Sequence, residues 1–160
     1  MGYMHYDVKP DMLSMAKGLG GGMPIGAIVT SEKIAKAFTI GSHGSTFGGH
    51  PVCCAAAYAA VRELLNEDLA ENAAKVGAYF REQAKKLPFV KEVRGQGLMN
   101  AIEFDCDIRA RKHRFVEKGL LLTVISHNII RTVPPLIANC EHVDEAMRII
   151  REVITEEETA

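Results

Sequence analysis

Lys17 is the residue of this sequence whose setting most directly predicts chemistry. It stands between a short apolar run and a glycine-rich turn, in the stretch Met-Leu-Ser-Met-Ala-Lys-Gly-Leu-Gly-Gly-Gly-Met-Pro-Ile-Gly-Ala at residues 12–27. A lysine held there is expected to be partly desolvated, which disfavours its charged form and leaves a neutral amine that can attack an aldehyde. Glycines lack Cβ atoms and would let the backbone approach a bulky, flat cofactor. A tight turn that carries a surface lysine is the alternative interpretation.

Two better-known glycine-rich motifs are excluded by the order of the residues. The phosphate-binding loop GxxxxGK[ST] places its lysine after the glycines, whereas Lys17 precedes them. The dinucleotide motif GxGxxG fails at its last position, which is Met23 when counted from Gly18 and Ile25 when counted from Gly20. The segment therefore predicts neither kind of nucleotide site.

The elements around Lys17 are predicted to be short. Nine of the 14 glycines fall between residues 18 and 49, so this part of the chain is expected to be mostly turns. Two short strands are predicted, at residues 12–16 and 24–30. Ser31 is the predicted N-cap of a helix that ends near Phe38. Pro51 suits the first position of a long helix of small residues.

From residue 66 onward the pattern predicts helices alternating with short strands. Asp68 is the predicted N-cap of an amphipathic helix that Pro88 closes. Four strands are then predicted at 90–94, 98–104, 120–125 and 129–133, with a helix at about 108–118 that Gly119 ends. The last helix has the apolar row Val143, Met147, Ile150 and Ile154, with Asp144 and Glu145 expected in its first turn. The acidic end at residues 156–158 is expected to fray.

These elements predict an α/β protein in two unequal pieces. Residues 66–160 are expected to form a small α+β domain with its own core. Residues 1–50 hold too few elements to cover both faces of a sheet, so residues 1–65 are expected to be part of a larger domain, with the long helix as the link. Sheet edges and uncovered apolar faces predict self-association.

Composition and charge exclude several classes of protein. The 160 residues carry 19 Lys+Arg against 20 Asp+Glu, a net charge of −1, without the basic excess that nucleic-acid binding requires. No apolar stretch approaches the roughly 18 residues of a membrane span, and the first ten residues lack a signal-peptide pattern. The cysteines show no CxxC spacing; they are Cys53, Cys54, Cys106 and Cys140. We expect no metal site and a reducing, cytoplasmic location.

The segment Ala-Lys-Gly-Leu-Gly-Gly-Gly-Met-Pro-Ile-Gly-Ala at residues 16–27 resembles the cofactor-lysine segment of class III pyridoxal-phosphate aminotransferases. That group includes the acetylornithine, ornithine and 4-aminobutyrate aminotransferases. The preceding His-Tyr-Asp-Val-Lys-Pro-Asp at residues 5–11 also resembles the family. The resemblance implies that Lys17 binds pyridoxal 5'-phosphate. It also implies the type I fold of these transferases: a remnant of the large domain and a small C-terminal domain with a short, mostly antiparallel sheet.

A second segment, Gly-Ser-His-Gly-Ser-Thr-Phe-Gly-Gly-His-Pro at residues 41–51, is similar to the family segment that reaches the cofactor phosphate of the neighbouring subunit. The resemblance implies that Thr46, with Ser45 and nearby backbone N–H groups, binds this phosphate across a homodimer interface. Hydroxyls and exposed amides suit a phosphate. His50 departs from the Asn of many members, and an ordinary loop that caps the helix at Pro51 is the alternative.

A third segment, Asn-Ile-Ile-Arg-Thr-Val-Pro-Pro-Leu at residues 128–136, resembles the one that presents an arginine to the substrate carboxylate. The resemblance implies this role for Arg131, whose planar guanidinium can hold a carboxylate at two points. Taken alone, Arg131 would be a solvated charge on a strand. Residues 94–99 also resemble a family segment, in which the glycines are expected to be bends between strands and Arg94 to be structural.

The resemblance covers essentially all 160 residues but only the later part of a family member of roughly 400 residues. It implies an amino transfer from N-acetylornithine, ornithine or 4-aminobutyrate to 2-oxoglutarate. The earlier part would supply the main phosphate-binding turn, a stacked aromatic ring and an acid for the pyridine nitrogen, so the chain alone is expected to be inactive. An aminomutase of the same fold, or a non-catalytic module that assembles with the missing part, are the alternatives.

Overall fold

The computed structural model describes residues 1–156, and the chain divides into two compact units, Met1–Glu67 and Asp68–Ala160. We call them the amino-terminal and carboxy-terminal units. Glu157 and Glu158, for which fraying is predicted, lie outside the described residues. No helix among residues 1–156 is long and apolar enough to span a bilayer.

The amino-terminal unit contains a two-stranded antiparallel sheet and two α-helices. Strands β1 (Met12–Met15) and β2 (Ala27–Thr30) pair from Met12 opposite Thr30 to Met15 opposite Ala27. Helix α1 spans Glu32–Ala35 and α2 spans Pro51–Asn66. The two predicted strands are confirmed, although β2 begins three residues late, at Ala27, because its partner β1 ends at Met15, which is opposite Ala27.

Helix starts in this unit follow the predicted signals. Ser31 is the N-cap of α1, and Pro51 occupies the first turn of α2, where its missing N–H costs no helix bond. Of residues 1–67, only Gly20 and Cys53 are buried. Large apolar side chains of α2 face solvent, among them Tyr58 and Leu65. The amino-terminal unit therefore has almost no core of its own.

The carboxy-terminal unit is a four-stranded antiparallel sheet with two long helices packed on it. Its elements are α3 (Leu69–Ala84), β3 (Val90–Gln96), β4 (Met99–Phe104), α4 (Lys112–Glu117), β5 (Thr123–Ile125), β6 (Ile129–Thr132) and α5 (Cys140–Thr155). The strands lie in the order β3-β4-β6-β5. All four predicted strands are confirmed, with ends that differ by up to three residues.

Alternation along the strands divides the sheet into a core face and an outer face. Ile102, Phe104 and Ile130 are fully buried on the core face. Helices α3 and α5 cover them, and the predicted apolar row of α5 is buried as expected. Burial of each such side chain contributes about 1.5–3 kcal/mol. This unit therefore has the independent core that its pattern predicts.

Two helix boundaries in this unit have local causes. Helix α4 ends at Glu117 and is followed by a left-handed Gly119, after which the Leu120 N–H donates back to the Phe115 carbonyl. Leu120 thus belongs to the turn, and β5 begins at Thr123, opposite Arg131. Helix α5 begins at Cys140 because the Asn139 side chain accepts from the His142 N–H, while the His142 ring accepts from the Asn139 N–H. Asp144 and Glu145 consequently lie in its second turn, so their predicted place in the first turn is wrong.

Gly77 allows α3 to lie directly against the turn between β3 and β4. A Cβ built on Gly77 would overlap the Gly97 carbonyl group. We expect Gly77→Ala to lower the free energy of unfolding by about 2 kcal/mol, since overpacking against backbone outweighs the higher helix propensity of alanine. Urea unfolding followed by circular dichroism measures this. Glu82→Ala, at an exposed site of the same helix, is the control, and equal stability of the two variants would contradict the packing account.

Ion pairs join α4 to the end of α5. The Lys118 ammonium lies 2.9 Å from a Glu156 carboxylate oxygen, and Arg114 lies 3.0 Å from the other. The hydrogen bond from Lys118 is the largest cause that lowers the pKa of Glu156 from its usual 4.5, and the positive charge of Arg114 lowers it further. A lowered folded-state pKa adds stability above pH 4.5 that is lost as the pH falls through the folded value.

We therefore expect the stability difference between the wild-type chain and Glu156→Gln to be constant from about pH 7 to 5 and to shrink below the usual pKa of the carboxyl. Thermal unfolding midpoints at a series of pH values measure the difference. Glu141→Gln, which removes a carboxylate at an exposed position of α5, controls for net charge. A Glu156→Gln difference that persists unchanged to about pH 3 would refute the assignment.

Candidate functional site

Lys17 lies at the end of β1, where the backbone changes direction sharply. Ala16 is extended, and Lys17 itself has a φ of 55° and begins a 3₁₀ turn, Lys17–Gly20. A non-glycine residue in the left-handed region is strained, and such residues cluster at functional sites. The expected desolvation of Lys17 is not found, because its side chain is exposed. No hydrogen bond or ion pair of its amine is found within the described part of the chain.

The glycines after Lys17 have two different packing roles. A Cβ on Gly20 would lie 2.9 Å from Ile25, and one on left-handed Gly21 would lie 3.4 Å from the Ala60 methyl of α2. Gly20 therefore lets the turn fold tightly against Ile25, and Gly21 lets it lie against the small-residue helix. A Cβ on Gly18 or Gly22 would meet no heavy atom within 4 Å. The open space beside Lys17 suits a flat ring brought close to the backbone, so the residues present fit a pyridoxal cofactor.

Ser45 and Thr46 lie in the exposed loop that precedes α2. The Ser45 carbonyl accepts from the Gly48 N–H at 3.3 Å, and the Phe47 carbonyl accepts from the His50 N–H at 3.2 Å. Helix α2 has no side-chain cap, so neither hydroxyl is used to cap it. This finding removes the capping alternative for the two hydroxyls. They remain available for an external acceptor such as a phosphate oxygen.

The Lys17 turn and the Thr46 loop meet α2 at different heights. Gly21 contacts Ala60, nine residues after Pro51 and thus about 14 Å along the helix axis. Thr46 precedes the first residue of the helix. The Lys17 turn and the point where the Thr46 loop enters α2 are therefore about 14 Å apart along the helix axis, although both segments belong to the amino-terminal unit.

Arg131 lies in the other unit, on β6. Its neighbour Ile130 is fully buried, so Arg131 points to the outer face of the sheet, where its side chain is exposed. It stands directly opposite Ala101 of β4 and Thr123 of β5. It also borders an apolar groove of about 400 Å³ whose walls include Leu122 and Pro134. Among residues 1–156 no hydrogen bond or ion pair of its guanidinium is found.

An ion cluster on the same outer face was not anticipated from the sequence. Lys91 donates to one oxygen of Glu103 at 2.7 Å, and Arg94 donates to the other at 2.9 Å. Arg94, predicted to be structural, also contacts Glu92 at 2.9 Å. Alternating charges along β3, with Glu103 on β4, are the sequence signal for such a cluster, but the contact depends on the strand register.

The two glycines beside Arg94 have different roles. Gly97, with a φ of 52°, lies in the turn between β3 and β4, as predicted. Gly95 lies within β3, so its prediction as a bend between strands is wrong. A Cβ on Gly95 would overlap the Met99 carbonyl oxygen of β4. Its function is to permit close approach of the paired strand.

A metal centre is not found in the part of the chain that the structure describes. No group of three or more His, Cys, Asp or Glu side chains there is arranged to hold an ion. The four cysteines at 53, 54, 106 and 140 are free thiols. Only Cys53 among them is buried.

Comparison with known proteins gives consistent matches. The sequence profile of the family described as Aminotransferase class-III matches residues 1–154. An acetylornithine aminotransferase of Caldanaerobacter subterraneus is 48% identical over 160 residues, which cover 97% of this chain and 40% of that protein. Ornithine aminotransferase 2 of Staphylococcus aureus is 42% identical over 150 residues, covering 92% of this chain and 38% of that protein.

Solved structures match the fold as well as the sequence. The acetylornithine aminotransferase of Elizabethkingia anophelis superimposes with a TM-score of 0.86 at 37% identity, over 96% of this chain and 41% of that one. The ornithine δ-aminotransferase of Plasmodium falciparum superimposes with a TM-score of 0.85 at 39% identity, over 95% of this chain and 41% of that one. The chain thus spans about two fifths of the length of these relatives. It belongs to the class III aminotransferases and has the type I fold of pyridoxal-phosphate-dependent transferases.

Proposed function

We propose that this chain is the C-terminal part of an enzyme that transfers an amino group from N-acetylornithine, or from ornithine or 4-aminobutyrate, to 2-oxoglutarate. The observation that carries the proposal is Lys17, an unpaired amine on a strained backbone beside an open glycine turn. The relatives named above favour the first two donors over the third. Residues 1–65 would belong to the large cofactor-binding domain and residues 66–160 would form the small domain.

Lys17 would have two tasks in this enzyme. Pyridoxal phosphate, when bound, supplies an aldehyde and an electron-withdrawing ring that stabilises negative charge on the substrate carbon. The Lys17 amine would hold that aldehyde covalently until the amino donor displaces it. Once released, the Lys17 Nζ would take the proton from the substrate carbon that carries the nitrogen.

Thr46 and Ser45 would bind the cofactor phosphate of the neighbouring subunit in a homodimer. Two exposed hydroxyls and the turn amides near them provide donors of the kind that phosphate oxygens accept. The separation of the Lys17 turn and the Thr46 loop along α2 supports a division of labour between two subunits. In each site, one chain would supply the lysine and the other the hydroxyls.

Arg131 would bind a substrate carboxylate. Its guanidinium is exposed on a rigid strand, and its planar fork can donate two parallel hydrogen bonds to a carboxylate. That grip would fix the orientation of the reacting carbon. The four free thiols support a reducing, cytoplasmic location for the enzyme.

A non-catalytic role for the chain by itself has one observation in its favour. The amino-terminal unit buries only Gly20 and Cys53 and leaves large apolar residues such as Tyr58 exposed. It therefore needs a complement, which would be the preceding part of the enzyme. In this second candidate function the chain assembles with that part and is inactive alone.

Absorbance tests the proposal and separates the two candidates. Pyridoxal phosphate added to the complete protein is expected to give a protein-bound band near the visible edge that Lys17→Ala removes. Lys33→Ala, an exposed lysine of the same unit, should retain the band. A band and turnover that require the preceding part would support the complementing role. No Lys17-dependent band in any sample would refute the enzyme assignment.

A further inference from the structure

Two arginines face each other across one residue on the outer face of the sheet. Arg94 of β3 is directly opposite Ala101 of β4, and Ala101 is directly opposite Arg131 of β6. Neighbouring strands are about 4.8 Å apart, so the two arginine backbones are about 10 Å apart. Because the Ala101 side chain between them is small, the two arginine side chains have room above the outer face of the sheet.

Glu103 is the acidic residue that both arginines can reach. It follows Ala101 by two residues on the same strand, so it lies on the same face and is a diagonal neighbour of each arginine. Diagonal neighbours on paired strands are within reach of long side chains. The contact of 2.9 Å between Arg94 and Glu103 is such a diagonal pair.

Both carboxylate oxygens of Glu103 are occupied on the side away from Arg131. Lys91 forms an ion pair with Oε1 of Glu103 and Arg94 forms one with Oε2, and the Glu103 side chain is only 16% exposed. Hydrogen bonds from Lys91 and then Arg94 hold the pKa of Glu103 below its usual value. Glu103 is therefore an anion at neutral pH, and if it were released it would compete for the Arg131 guanidinium.

We propose that Lys91 and Arg94 are positioning residues that restrain Glu103 and so keep Arg131 available for the carboxylate of the keto-acid acceptor. Without them, Glu103 would turn towards Arg131 and form an internal ion pair that the incoming carboxylate must displace. This inference rests on the proposed function of Arg131. It adds that a pair of cations on β3 sets the affinity for the acceptor.

The test is the variant Lys91→Met/Arg94→Met of the complete enzyme. We expect KM for 2-oxoglutarate to rise roughly fivefold, the scale of one exposed ion pair, with kcat changed less than about twofold. Adding Glu103→Gln to this variant should restore KM, which loss of structure alone would not do. Glu92→Gln, which leaves both oxygens of Glu103 held, is the control and should not change KM.

A readout on the chain itself makes the test independent of turnover. Exchange of the Arg131 Nε proton with solvent, followed by NMR, should slow in the double variant and recover when Glu103→Gln is added. If the double variant does not fold, Arg94→Gln alone should give about a twofold rise in KM. The inference fails if adding Glu103→Gln to the double variant does not restore KM for 2-oxoglutarate. It also fails if the double variant changes neither this KM nor the exchange of the Arg131 Nε proton. If instead the proposed role of Arg131 is wrong, the result is different, because Arg131→Gln itself will then leave KM for 2-oxoglutarate unchanged.

Discussion

Lys17→Ala is expected to lower kcat of the complete enzyme by about 10³-fold, the usual contribution of a positioned acid–base group. The loss follows from the two tasks assigned to the Lys17 amine, which are to hold the aldehyde and to move the substrate proton. The position of this amine is set by the backbone of Lys17 itself, which is left-handed at the start of the glycine turn after β1. A lysine elsewhere in the sequence does not have this position. Single-turnover kinetics of each half-reaction measure the effect.

Two controls define what the Lys17 result means. Lys33→Ala removes an exposed lysine of the same unit and should leave kcat within about twofold of wild type, as for a surface change. Added methylamine should partly restore proton transfer in Lys17→Ala, because a free amine can act as the missing base. A Lys17→Ala enzyme with normal kcat would remove the basis for the mechanism.

Arg131→Gln is expected to raise KM for 2-oxoglutarate about 30-fold. The estimate follows from losing a charged, two-point contact worth about 2 kcal/mol. Arg131→Lys should fall between wild type and Arg131→Gln, since an ammonium keeps the charge but not the fork. Steady-state kinetics with the keto acid as the varied substrate measure both variants.

The control for Arg131→Gln is Arg148→Gln. Arg148 is an arginine of α5 that pairs with Glu152 at 2.6 Å and is not part of the outer face of the sheet. It should leave KM unchanged. An Arg131→Gln enzyme whose KM stays within about twofold of wild type would assign the carboxylate to another residue.

Elements with strong local signals were predictable from the sequence. The apolar row of α5 and the alternation of β4 both mark core faces, and both are buried. Gly119 ended α4 because the left-handed conformation costs glycine little. The start of α5 was missed because Asn139 and His142 cap each other, and this pair does not match the Ser/Thr and Glu/Gln pattern usually sought.

Features that depend on distant residues could not be predicted. The sheet order β3-β4-β6-β5 places β4 beside β6 rather than beside β5, and only this order brings Arg131 opposite Ala101. The contacts of Glu103 likewise depend on register across β3 and β4. The exposure of Lys17 reflects how little the amino-terminal unit buries, which the motif around the lysine does not encode.

Borohydride reduction of the complete protein with bound pyridoxal phosphate, followed by mass spectrometry of its peptides, identifies the lysine that binds the cofactor. Reduction makes the bond between lysine and cofactor permanent, so the modified residue can be identified. We expect the cofactor mass on the peptide that contains Lys17, and no modified peptide in Lys17→Ala. A cofactor mass on any other lysine, or on none, would contradict the assignment of Lys17 as the cofactor lysine.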